Sequence, residues 1–184
     1  MLALSSEPQS TTAWAVGARG ERLLGERLDK LIPQHVHALH DRRIPGTKAN
    51  IDHIVVAPQG VLVIDAKRYR GRPHLQVDRA LRRPSTRRLF VGRRDCSALV
   101  TGVQKQVELV RAALERATLN EVPVSAMLCF VEADWPLIGG SFTIDGVRVL
   151  WPKAAGRALV EPGDVDATRA ERLLTELARA FPSA

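Results

Sequence analysis

A mixed α/β domain, with a central sheet covered by helices, is the fold class that this 184-residue sequence predicts. Three observations carry it. Two adjacent apolar runs, "IDHIVVA" and "VLVIDAK", are rich in β-branched residues and are joined by Pro58-Gln59-Gly60. Leucines recur at helical spacing near both ends of the chain. A third apolar run, "VPVSAMLCFVE", stands between helical stretches, as strands do in sheets that helices cover on both faces.

In chain order, residues 1–16 read as a loose lead-in. Ser, Thr, Gln and Pro cluster there, with Trp14 as the one anchor. Residues 17–184 read as a single domain. From Gly20, "GERLLGERLDKLI" places Leu23, Leu24, Leu28 and Leu31 on one helical face, and Pro33 ends the helix. Residues 34–42 read as a strand and Pro45-Gly46 as a turn. The two β-branched runs form a hairpin in the middle of the sheet. Residues 71–96 read as irregular, with "HLQV" and "RLFV" as short strands at an edge. Val103, Val107, Val110 and Leu114 give a long helix over 98–118. "VPVSAMLCFVE" is a buried strand and "GVRVLW" a shorter one. Pro152 opens a helix, and Leu173, Leu174, Leu177 and Phe181 line one side of a last helix over 164–181.

Composition excludes several classes. No run of about 18 apolar residues exists, so no membrane span and no membrane partner are expected. The N-terminus lacks the basic start and long apolar stretch of a signal peptide, and a cytoplasmic location is the expectation. Cys96 and Cys129 alone, without a Cys-x-x-Cys spacing, make neither a disulfide framework nor a cysteine zinc site. There is no Gly-x4-Gly-Lys-Ser/Thr loop and no nucleophile elbow.

The charge of +7 is local. Between Arg68 and Arg94 there are ten arginines against one acid, Asp78, and the rest of the chain sums to −2. Arginine forks match phosphate oxygens, so Arg68, Arg70, Arg72, Arg82, Arg83, Arg87 and Arg88 are expected to bind nucleic acid. The blander reading is a solvated, arginine-rich loop. Only Tyr69 and Phe90 are aromatic there, which gives little support for base stacking.

The hairpin raises a specific question, because each buried strand carries an acid. Asp65 and Lys67 share a face. A four-residue loop over 57–60, with Val56 opposite Val61, places Asp52 directly across from Asp65. A three-residue loop turns Asp52 to the other face unless a bulge at Gly60 restores the parity. Two carboxylates brought together raise one pKa and destabilise the fold, and a divalent cation removes that cost. A plain Asp52–Lys67 ion pair is the alternative.

"GARGERLLGERLDKL" followed by "NIDHIVVAPQGVLVIDAK" resembles the nuclease-related domain (NERD) family, a branch of the PD-(D/E)xK nuclease superfamily. The shared pattern is Gly17, Gly20 and Glu21 on a first helix, Ile51-Asp52-His53 on one strand, and Asp65-x-Lys67 on the next. "GVRVLWPKAAGRAL" resembles the tail of such proteins. The resemblance implies a restriction-endonuclease-like fold, in which a mixed sheet is flanked by helices. It implies Asp52, Asp65 and Glu21 as metal-facing acids, Lys67 as the catalytic lysine, and Gln106, or alternatively Gln104, as an orienting residue. Asp65 stands where glutamate is common, and Ile51 stands where the superfamily's name has proline.

The function expected is that of a nuclease dependent on Mg2+ or Mn2+ that cuts DNA, in DNA processing or repair. A catalytically weak nucleic-acid-binding module of the same fold is the alternative. A third reading is a protein-interaction domain whose basic loop meets an acidic partner. Oligomeric state is left open, a homodimer included. The blander reading of Glu21 is a residue that complements the dipole at a helix N-terminus. For Gln106 it is an exposed helix position, for His53 a structural hydrogen bond, and for Cys96 an ordinary loop cysteine.

Overall fold

Six strands lie side by side in one sheet and form the centre of the protein. The computed structural model describes the backbone of residues 8–80, 83–137 and 140–184, and the side chains of residues 17–78, 86–137 and 140–184. Strands β1 (His37–Arg43), β2 (Asn50–Ala57) and β3 (Gly60–Lys67) form an antiparallel meander. Strand β7 (Val124–Phe130) joins β3 in parallel, and β9 (Val147–Leu150) joins β7 in parallel. Strand β8 (Phe142–Ile144) closes the far edge antiparallel to β9. The sheet is therefore mixed, and helices flank it on both faces, as the predicted fold class requires.

The apolar pattern explains the layering. β2 and β3 are buried on both faces, so their sequences run apolar without a break. On one face, Val61, Val63, Leu128 and Val149 pack beneath α2 (Ser97–Arg116) and α4 (Ala167–Ala180). On the other, Val55, Leu62, Ile64 and Met127 pack beneath α1 (Pro8–Asp29) and α3 (Pro152–Leu159). Asp166 caps α4 by accepting a hydrogen bond from Arg169 N. Arg42 ties β1 to the end of the chain by donating to Phe181 O at 2.7 Å.

The β2–β3 turn settles the parity question. Ala57 pairs with Gly60 and Val56 with Val61, which is the arrangement of the four-residue loop. Gly60 takes φ +134°, and a Cβ there would collide with the Pro123 carbonyl oxygen. Gly60→Ala is therefore expected to cost roughly 2–4 kcal/mol. Urea unfolding measures it, and a loss within 0.5 kcal/mol of zero would show that the turn yields.

Four elements differ from expectation. The first helix begins at Pro8 rather than Gly20, so residues 8–16 are not a loose lead-in. Proline suits a helix's first turn, where its missing N–H has no partner to lose. Residues 1–7 and the Trp14 side chain lie outside the described set. The strand expected over 34–42 starts at His37, after a short 3-10 turn over Ile32–Gln34 and His35 at φ 61°. β8 was not foreseen. In the basic segment the expected strands "HLQV" and "RLFV" are present but longer, and they do not join the main sheet: β4 (Pro73–Ala80), β5 (Arg83–Val91) and β6 (Arg94–Asp95) form a separate three-stranded antiparallel sheet. Leu89 and Val91 anchor it in the main core.

Candidate active site

Asp52 sits where the regular sheet fails. The β1–β2 pairing includes His40↔His53 and Arg42↔Ile51 but not the pair between them, and the β2–β3 pairing stops at His53↔Ile64. Opposite Asp52, Asp41 takes φ 46°, a left-handed conformation that aspartate tolerates better than most residues. The Asp52 carboxylate accepts a hydrogen bond from Ala66 N at 2.9 Å through Oδ2. A side chain has thus taken a place beside β3 that backbone would otherwise hold.

This placement joins three charges. Lys67 Nζ donates to Asp65 Oδ1 and lies 3.7 Å from Asp52 Oδ2. Asp65 is 7% exposed. Burial, and then the Asp52 charge, hold its carboxyl far above the usual range, at about 8, although Lys67 pulls the other way. Burial works against the Lys67 ammonium, but Asp65 and Asp52 outweigh it and its pKa is raised. Two acids therefore share one partly buried cation.

Glu21 lies in the middle of α1, so the helix-terminus reading does not hold. It lines a cavity of about 330 Å³ together with Asp52, His53 and Asp41. Burial first, then the charge of Asp52, raises its pKa. Among the described residues, no three His, Cys, Asp or Glu side chains converge to hold a metal ion by themselves. The structure brings Asp52, Asp65 and Lys67 together and sets Glu21 across the cavity from Asp52.

His53 makes the hydrogen bond expected of it. Its Nδ1 lies 2.8 Å from His40 Nδ1, and His40 Nε2 lies 2.9 Å from Asp29 Oδ1. Burial lowers the His53 pKa to about 4. The two candidate glutamines have different surroundings. Gln104 Nε2 donates to Asp145 O at 2.7 Å and so pins the β8–β9 turn. Two residues on, a helix has turned about 200°, which puts Gln106 on the opposite flank. The Gln106 side-chain oxygen is buried without a partner among the described residues. α2 covers the face toward which Asp65, in step with Val61 and Val63, projects.

The arginines divide. Arg68 pairs with Glu132 at 2.7 Å and Arg88 with Asp78 at 2.7 Å, while Arg87 donates to Thr143 O at 2.8 Å. Arg70 and Arg72 are exposed and have no acidic partner among the described residues. Arg82, and the Arg83 side chain, lie outside the described set. Cys96 is buried, and burial raises its thiol pKa, which removes it as a reactive group.

The donor chemistry suits a divalent cation. Asp52 and Asp65 would offer such an ion two carboxylates, and Mg2+ commonly takes one or two with water in its other positions.

A family model described as "Nuclease-related domain" matches residues 16–131. An uncharacterized protein of Bacillus anthracis is 40% identical over 58 residues, which cover 30% of this chain and 27% of that relative. The chain thus spans under a third of the length of that relative. No solved structure matches. The matched stretch covers more than half of the chain and contains Glu21, Asp52, Asp65, Lys67 and Gln106, and the protein belongs to the nuclease-related domain family.

Proposed function

We propose that the protein is a metal-dependent nuclease that hydrolyses phosphodiester bonds in DNA, in DNA processing or repair. The observation that carries this reading is the convergence of Asp52, Asp65 and Lys67 on one half-buried spot. Asp52 and Asp65 would hold Mg2+ or Mn2+, with Glu21 placed to act through the adjoining cavity. A bound divalent ion supplies Lewis acidity and lowers the pKa of water. Lys67 offsets the negative charge that builds on the phosphate during attack. Gln106 offers a free buried acceptor that can orient a donor at the site. Exposed arginines of the basic segment hold the sugar–phosphate backbone, so binding falls steeply with salt.

One observation favours the catalytically weak binding module. Lys67 already contacts Asp65, and an ion pair so made competes with a metal for the same oxygen. Titration calorimetry with Mn2+, alongside cleavage of plasmid and branched DNA with and without chelator, separates the two. The nuclease reading expects metal uptake and cleavage that chelator abolishes. Salt-sensitive DNA binding with neither uptake nor cleavage would leave the binding module standing instead.

A further inference from the structure

We propose that the nucleic-acid backbone is gripped at the root of the arginine hairpin, by Arg70, Arg72, Arg93 and Arg94, and not by Arg87 and Arg88. The inference rests on the nuclease reading and specifies where that site's substrate is held. The geometry begins with a crossing of two glycines. A Cβ on Gly71 would lie 3.1 Å from Gly92 N and 3.2 Å from Gly92 Cα, and Gly92 N donates to Arg72 O at 3.0 Å. Both glycines take positive φ, at 103° and 59°. The segment that leaves β3 after Lys67 therefore touches the β5–β6 turn. This contact gathers arginines from two places more than 20 residues apart in the chain.

Their surroundings separate them from Arg87 and Arg88. Arg70, Arg72, Arg93 and Arg94 are exposed, and none has an acidic partner among the described residues. The Arg94 guanidinium lies 4.7 Å from the centre of the Tyr69 ring, which packs in turn on Phe130. That stacking fixes its direction without consuming its hydrogen-bond donors. Phe130 pairs with Lys67 across β3 and β7, so this platform adjoins the reactive cluster. Arg87 and Arg88, in contrast, lie on opposite faces of β5 and are engaged by Thr143 O, Asp78 and Asp95. Asp134 also reaches this junction, where its backbone amide donates to Gly71 O, and Asp95 is held by Arg88 and Ser97 N. The cations outnumber these acids.

Fluorescence anisotropy with a labelled DNA duplex in chelator tests this without cleavage. Arg93→Ala/Arg94→Ala and Arg70→Ala/Arg72→Ala are each expected to weaken binding about tenfold or more near 0.1 M salt. Each pair should lower the slope of log K against log salt by about 2, as loss of two phosphate contacts requires. Arg87→Ala/Arg88→Ala should change affinity by less than about threefold. Arg93→Ala alone, which removes no hydrogen bond or ion pair among the described residues, should still weaken binding, and circular dichroism confirms that each variant is folded. Wild-type affinity in both junction variants, with loss in Arg87→Ala/Arg88→Ala, overturns the inference. If Asp65→Ala still abolishes cleavage in that case, the nuclease reading survives it. A wild-type protein that binds no duplex at 0.05 M salt sinks both.

Discussion

Asp65→Asn and Lys67→Ala should each lower DNA cleavage by roughly 10²- to 10³-fold while leaving duplex binding within about threefold of wild type. Asparagine keeps the shape of Asp65 but removes its charge, so Asp52 remains the only carboxylate on that spot. Lys67→Ala removes the cation that both acids share. The binding arginines are untouched by either change, and so chemistry and affinity part company. Single-turnover cleavage and anisotropy on the same preparations check this. Equal cleavage by all three proteins would show that these residues do not serve catalysis. A matched loss of cleavage and binding would point to a folding defect.

A second large effect concerns stability against pH. The carboxyl of Asp65 titrates near 8 in the folded protein and near 3.8 as a free group. A raised folded pKa gives stability that is complete below the unfolded value and disappears as pH rises through the folded one. His53 acts oppositely. Its pKa is depressed from 6.5 to about 4, so its contribution is present above 6.5 and is lost as pH falls toward 4. Above 6.5 the two no longer overlap. In chelator, the thermal midpoint should therefore fall by roughly 3–6 °C between pH 6.5 and 8.5. Mg2+ should restore it at pH 8.5 more than at pH 6.5, since ionised acids bind the ion. Asp65→Asn should flatten the profile. Differential scanning fluorimetry at several pH values is sufficient, and a slope that persists in Asp65→Asn would assign it to another group.

Much of the site was legible because its logic is local. Period-two alternation puts Asp65 and Lys67 on one face, and only the length of the turn was open for Asp52. The pairing of Ala57 with Gly60 closed it. The irregularity that frees Asp52 was not legible, since it depends on the backbone of Asp41 in the neighbouring strand. The full length of the basic hairpin was less legible, for a different reason. Leu75, Val77, Leu89 and Val91 do alternate, but arginines fall on both faces of β5 and blur the pattern. β8 has only three residues, although Asp145-Gly146, with φ 48° and 81°, is a dipeptide that favours tight hairpins. Arg93 and Arg94 were passed over because only the Gly71–Gly92 contact brings them to the site.

The layering on both faces of the sheet sets the size of the smallest portable unit. The recognisable family stretch stops at residue 131. Ala155, Leu159, Leu173, Leu177 and Phe181, all beyond it, are buried against opposite faces, and β9 occupies the open side of β7. A fragment trimmed to the recognisable stretch would keep every proposed catalytic side chain and yet expose Met127 and Leu128 to water along an unpaired strand, a combination that promotes aggregation. Anyone grafting the proposed activity into another protein must carry the tail along.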